Sequence, residues 1–152
     1  MIVVLSVAKN RKAFHDYFIE DKYEAGMVLT GTEIKSIRDG RVQLKEAYIS
    51  IIHNEAFVKG MHIAQYKFGN IYNHDEIRDR KLLLHKHQIQ KLQHMSKASG
   101  YTILPLHLYL KDGRAKLEIG LGKGKHLYDK RQVQKERDLD RQMQRAMKDV
   151  NR

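Results

Sequence analysis

Alternation of apolar and polar side chains is sharpest between residues 104 and 121. Leu104, Leu106, Leu108 and Leu110 alternate with Pro105, His107 and Tyr109; after Asp112-Gly113, Ala115, Leu117, Ile119 and Leu121 alternate with Lys116 and Glu118. A period of two sets one apolar face on a core and one polar face outside. Asp-Gly is a dipeptide that two-residue hairpin turns favour, so the stretch predicts a hairpin. Pro105 has no N–H for a ladder and is expected at an edge or a bulge.

Other segments follow with weaker patterns. Residues 1–12 show no period beyond an apolar start and read as an N-terminal arm. Phe14–Ile19 is aromatic-rich and predicts a strand. Glu24–Leu29 predicts another, with Gly26 marking a bulge or close backbone approach. Thr30 and Glu33 have capping-box spacing, so a helix is expected to start there, turn Ile34 and Ile37 inward and Lys35 and Arg38 outward, and stop at Gly40. Tyr48–Ile52 and Ala56–Met61 read as strands around His53-Asn54-Glu55. Residues 64–80 are polar and read as a long loop, and Lys81–Leu84 as a short buried strand. Ile89, Leu92 and Met95 fall at helical spacing within His87–Ser99, ahead of Gly100. About six short strands with two short helices, in an antiparallel run, suggest a small closed barrel at residues 13–121, with a sandwich as the alternative.

Beyond residue 121 the character changes. Residues 122–152 hold ten Lys/Arg against five Asp/Glu, nearly half of the whole chain's excess of +11. Leu139, Met143, Ala146, Met147 and Val150 make an apolar stripe at helical spacing. A lone helix of that length is marginal in water, so the tail is expected to be disordered alone and helical when a partner covers the stripe.

Charge decides which partners to consider. The 152 residues carry 29 Lys+Arg against 18 Asp+Glu, which predicts attraction to a polyanion. No apolar run approaches the roughly 20 residues of a spanning helix, which argues against a membrane. Ile2–Ala8 is followed by Lys9, Arg11 and Lys12, the wrong order for a secretory signal, so a cytoplasmic protein is expected. With no cysteine, disulfides, thiolate metal sites and thiol catalysis are excluded.

Candidate chemistry is sparse. Gly120-Leu121-Gly122-Lys123-Gly124-Lys125 invites comparison with a phosphate-binding loop, but Ile119 stands where that motif needs its first glycine and His126 where it needs a hydroxyl. A strand end running into a basic loop is the better reading. His85, His87 and His94 lack the glutamate of a metalloprotease pattern, and Asp75, Glu76 and Asp79 are interleaved with Arg78, Arg80 and Lys81. No metal, cofactor or catalytic residue is therefore expected, and a metal-dependent nuclease is a weak alternative. Aromatic and basic residues are more informative: His15 and Tyr17, on one face of the expected strand, follow Asn10, Arg11 and Lys12. Aromatic rings stack on unpaired bases for on the order of 1–3 kcal/mol each.

Four segments in order, NRKAFHDYFIE at 10–20, EAGMVLTGTEIKSIRDG at 24–40, RKLLLHKHQIQKL at 80–92 and IGLGKGKHLYDKR at 119–131, resemble the SsrA-binding protein family (small protein B, SmpB). That resemblance implies a mainly β, OB-type antiparallel barrel with two or three flanking helices. It implies binding of transfer-messenger RNA and delivery of that RNA to stalled ribosomes for trans-translation, as a monomer with one RNA and without chemistry of its own. By resemblance, Asn10, Arg11, Lys12, His15, Tyr17, Lys35, Arg80, Lys81, Lys123 and Lys125 belong to the RNA-binding set. Glu24 is implied as an acidic RNA contact, with a plain strand-end carboxylate as the alternative. Leu83 is implied in RNA association, with a core leucine acting through folding as the alternative. Tyr128, Asp129, Lys130 and Arg131 would open a tail that enters the small-subunit decoding centre and the empty message channel. The family's usual GKK is Gly124-Lys125-His126 in this chain, which exchanges a permanent charge for a titratable one. A general single-strand RNA-binding or ribosomal protein on a similar barrel is the remaining alternative.

Overall fold

In the computed structural model the described residues are 2–69, 73–97 and 100–125. They form β1 (Val4–Lys9), α1 (Arg11–Asp16), β2 (Tyr17–Met27), α2 (Gly31–Arg38), β3 (Val42–Gln43), β4 (Tyr48–Ile52), β5 (Glu55–Lys59), β6 (His62–Ile63), β7 (Arg80–Leu83), α3 (Lys86–Lys97), β8 (Tyr101–Lys111) and β9 (Arg114–Gly124). Seven strands hydrogen-bond in the order β1-β8-β9-β2-β7-β5-β4, and β3 pairs with β6. Every pairing is antiparallel. The mainly β, antiparallel class with three helices is the expected one. The sheet curls until β4, at one end of the order, packs against β8 near the other.

The β8–β9 hairpin carries the curl. Asp112 and Gly113 both take positive φ, 50° and 81°, which matches the turn to the strand twist. Its register shifts between Pro105 and His107, so the proline does sit at a bulge. Leu108, Leu110, Leu117, Ile119 and Leu121 point into the main core with Ala25, Ile37, Val58, Met61, Leu82 and Leu92. The opposite face holds a second, smaller core of Ala13, Leu104 and Leu106, against which Phe14, Tyr17 and Ile19 pack. The phosphate-loop lookalike owes its glycines to that core. A Cβ on Gly120 would meet Leu106 at 2.8 Å, and one on Gly122 would meet Leu104 at 2.7 Å and Tyr17 at 3.1 Å.

Three expectations near the N-terminus need correction. The supposed arm contains β1, an edge strand paired with β8 from Val4↔Lys111 to Lys9↔His107. Its partner lies about a hundred residues away, and its apolar run does not alternate because Ile2, Val3, Val4 and Leu5 stay exposed. The supposed strand 14–19 begins as helix, because the Asn10 side chain accepts from the Ala13 N–H and caps α1. His15 and Tyr17 therefore do not share a strand face. The strands expected at 14–19 and 24–29 are one eleven-residue strand, β2, whose register with β9 shifts between Glu20 and Lys22. Asp21 takes φ 44° at that bulge.

The α2 capping box is present in both directions, from Glu33 N–H to Thr30 and from Thr30 N–H to Glu33. Its glutamate also does something the capping pattern does not announce. Glu33 and Arg80 are both fully buried and paired, and Arg78 Nη2 donates to the same carboxylate at 2.5 Å. Arg80 further donates to the carbonyls of Met61 at 2.6 Å, Asp75 at 3.3 Å and Glu76 at 3.2 Å. One ionic knot thereby ties α2, the segment before β7 and the start of β7 together. Burial alone would raise the Glu33 carboxyl. The bonds from Arg78, the Thr30 N–H and Arg80 outweigh it and leave the group below its ordinary value.

Candidate nucleic-acid interface

On the outer face of the sheet, a groove of about 750 Å³ runs between β2, β7, the β4–β5 turn and the start of α3. Glu24, Lys81, Leu83, Lys86 and Lys116 are among its lining residues. The strands explain why. Gly26 pairs with Leu83 and with Lys116, while Glu24 follows two residues earlier on the same face of β2. Leu83 lies against Gly26, and 54% of it is exposed. Its neighbour Leu82 is buried at 1%. The core-leucine alternative therefore describes Leu82; Leu83 offers apolar surface to a ligand. Lys81 is half exposed and 3.3 Å from Glu55, a surface pairing worth at most about 1 kcal/mol and open to exchange for a phosphate.

Glu24 sits in a defined setting. Tyr109 Oη donates to its Oε2, and Lys111 Nζ lies 3.4 Å from its Oε1. The Tyr109 bond holds the Glu24 carboxyl below its ordinary range; partial burial opposes this, and Lys111 and Lys116 add to the lowering. Burial and the Glu24 charge push the Tyr109 phenol upward in return. The carboxylate is thus ionised and the phenol a donor at neutral pH.

A second group gathers at the end of the sheet where α1, the start of β2 and the end of β9 meet. Arg11, Lys12 and His15 are exposed on α1, and the Lys125 N–H donates to the Asp16 carbonyl at 2.9 Å. Lys125 Nζ lies 4.8 Å from the Phe18 ring, and Lys123 Nζ lies 6.0 Å from the Tyr101 ring. Phe18 pairs with Lys123 in register and is 56% exposed. Lys9 and Lys22 both approach the Phe14 ring, at 5.3 and 5.6 Å. Segments a hundred residues apart therefore place lysines beside aromatic rings at this end of the sheet, Lys123 and Lys125 with Tyr101 and Phe18 and Lys9 and Lys22 with Phe14, the combination that suits phosphates and unstacked bases.

Other expected residues have different occupations. Asn10 is buried; its side chain takes the Ala13 N–H at 3.2 Å and donates to the Pro105 carbonyl at 2.8 Å. It positions α1 and has no free end for a ligand. Tyr17 packs in the second core. Arg80, fully buried on Glu33, presents no donor to the groove. Lys35 extends from α2 over Tyr66 at 5.4 Å, and α2 supplies none of the groove lining among the described residues. Tyr128, Asp129, Lys130 and Arg131, with His126, lie outside the described residues. Sequence reasoning missed Tyr109, Lys111 and Phe18. The alternation in 104–121 had already put Tyr109 and Lys116 on the polar face; what it lacked was which strand lies beside them. Among the described residues no cluster of three His, Asp or Glu side chains is placed to hold a metal, and no helix is long and apolar enough to cross a membrane.

Known proteins share this chain's sequence and fold over most of their length. A family model described as SmpB protein matches residues 7–149. An SsrA-binding protein of Lysinibacillus sphaericus (strain C3-41) is 56% identical over 145 residues, covering 95% of this chain and 94% of its own. Another, from Bacillus cereus (strain AH820), is 55% identical over 143 residues, covering 94% and 92%. A solved chain described under "tmRNA-SmpB: a journey to the center of the bacterial ribosome" superposes with a TM-score of 0.67 at 41% identity, over 79% of this chain and 85% of that one. With a family match that spans nearly the whole sequence and relatives above half identity, this chain belongs to the SmpB protein family.

Proposed function

We propose that this chain binds transfer-messenger RNA through the Glu24–Leu83 groove and the adjoining cationic end, and delivers it to stalled ribosomes for trans-translation. The observation that carries this reading is the convergence of Glu24 from β2 with Lys81 and Leu83 from β7 on one outward groove. A carboxylate among cations repels a phosphate backbone, so the use of Glu24 is to accept a specific donor such as a 2′-OH or a base N–H. The names of the relatives, and the ribosome complex of the structural neighbour, support the same choice of RNA and machine.

On this reading the sheet domain grips the RNA and residues from Tyr128 to Arg131 open a tail directed at the decoding centre and message channel. The protein works in the cytoplasm as an adaptor, one copy to one RNA, and performs no chemistry. The two halves separate experimentally. Deleting residues 131–152 is expected to leave affinity for the tRNA-like part of the RNA within about twofold, since phosphate contacts of the sheet domain remain, and to abolish peptide tagging in a reconstituted translation system. A large loss of RNA affinity in that truncation would refute the division of labour.

A further inference from the structure

We propose that Tyr109 is a positioning residue for RNA recognition: its hydroxyl holds the Glu24 carboxylate in the pose that accepts a donor from RNA. This rests on the groove being the RNA interface.

The register shows how unusual the contact is. β9 lies between β8 and β2. Glu24 stands opposite Glu118, and Glu118 opposite His107. Tyr109 stands opposite Lys116, which stands opposite Gly26. To reach Glu24, the Tyr109 side chain must lie diagonally across the whole of β9. It does so while only 8% exposed, with its ring 5.2 Å from that of His107. His107 is fixed in turn by Ser6 Oγ on β1, 2.7 Å from its Nε2. A line of contacts therefore runs from the edge strand to Glu24 across the outer face.

Glu24 needs such a restraint. A like charge directly across a strand pair is unfavourable, and Glu118 occupies that position. Free to rotate, the carboxylate would leave Glu118, and an RNA donor would have to order it again on binding. Tyr109 and Lys111 order it during folding instead, which removes that cost from the binding step. Two carboxylate oxygens offer about four acceptor directions. Tyr109 takes one on Oε2 and Lys111 approaches Oε1, which leaves acceptor directions for the groove that Glu24 lines. Phenylalanine would fill the same space without the donor.

A double-mutant cycle tests this on the full chain, with the tRNA-like domain of the RNA as probe at one fixed salt concentration. Tyr109→Phe is expected to weaken binding about five- to tenfold, the scale of one ordinary hydrogen bond, since Tyr109 acts on the RNA only through Glu24. Glu24→Gln is expected to weaken it at least as much, and the double variant no further than Glu24→Gln alone. Full affinity in Tyr109→Phe overturns the proposal. So does an equal loss from Tyr109→Phe in the Glu24→Gln background, which a purely structural role would give. Urea midpoints for each variant keep folding separate from binding. Should Tyr109→Phe fail to fold, Glu24→Asp withdraws the carboxylate from an intact Tyr109; wild-type affinity in that variant would overturn the proposal. A wild-type chain with no preference for the tRNA-like domain would fell the functional reading itself, whereas a preference unchanged by Tyr109→Phe fells only this inference.

Discussion

Arg80→Met should unfold this domain far more readily while leaving the RNA-facing groove chemically untouched. Arg80 and Glu33 are both 0% exposed. The substitution keeps the aliphatic stem but deletes the pairing to Glu33 and the bonds to the carbonyls of Met61, Asp75 and Glu76. Glu33 keeps Arg78 at 2.5 Å and the Thr30 N–H at 2.9 Å, so its charge is stranded only in part. Breaking a buried pair from one side costs about 3–5 kcal/mol, against about 5–15 kcal/mol for a whole domain. For a urea m-value of about 2 kcal/mol/M the midpoint should fall by about 2 M. The chain has eight tyrosines and no tryptophan, so tyrosine fluorescence and far-UV dichroism are the natural probes. The pH dependence has a definite sign. The Glu33 carboxyl lies below its ordinary 4.5 in the folded state, so its contribution is complete above about that pH and is lost as pH falls through the lower folded value. In Arg80→Met the loss should begin at higher pH, because one lowering partner is gone. A midpoint within about 0.3 M of wild type would refute the reasoning, since a net stabilising pair cannot be removed so cheaply. Where Arg80→Met remains folded, RNA affinity should be within about twofold of wild type, because Arg80 reaches no phosphate.

Two adjacent leucines give a second test. Leu82→Ala should cost about 2–5 kcal/mol in denaturant titration, whereas Leu83→Ala should change stability by about 0.5 kcal/mol or less and weaken RNA binding in a gel shift; equal destabilisation by both would contradict their placement. Asn10→Ala should cost about 1 kcal/mol for the lost cap, with more for the stranded Pro105 carbonyl, and should lower affinity only as far as α1 is displaced. A loss of affinity with no loss of stability would make Asn10 a direct contact.

The clarity of the sequence signals tracks how local their causes are. The β8–β9 hairpin and α2 were legible because each is specified within about twenty residues, by alternation and a turn in one and a capping box in the other; the single apolar face expected from Leu104 to Leu110 was not, because the Pro105–His107 bulge turns Leu104 and Leu106 into the second core. β1 was illegible because its pairing partner is β8, near the far end of the described chain, and its exposed apolar run lacks a period. α1 was masked by the aromatic residues Phe14 and Tyr17, whose strand preference the Asn10 cap overrides. The candidate site divides in the same way. Family motifs led to Glu24, Lys81 and Leu83, but only strand order brings them together. The motifs also drew in Arg80 and Asn10, whose charged or polar side chains are spent on folding. A basic residue in an RNA-binding motif looks the same whether it faces a phosphate or a buried glutamate, and burial alone separates the two.

Competition between the tRNA-like domain and an unrelated RNA of equal length tests the central claim most directly, because salt-dependent phosphate attraction is common to both. At one salt concentration the wild-type chain should prefer the tRNA-like domain by at least about tenfold, and Glu24→Gln should erase most of that preference while both RNAs still bind. Equal affinity of the wild-type chain for the two RNAs would contradict the account.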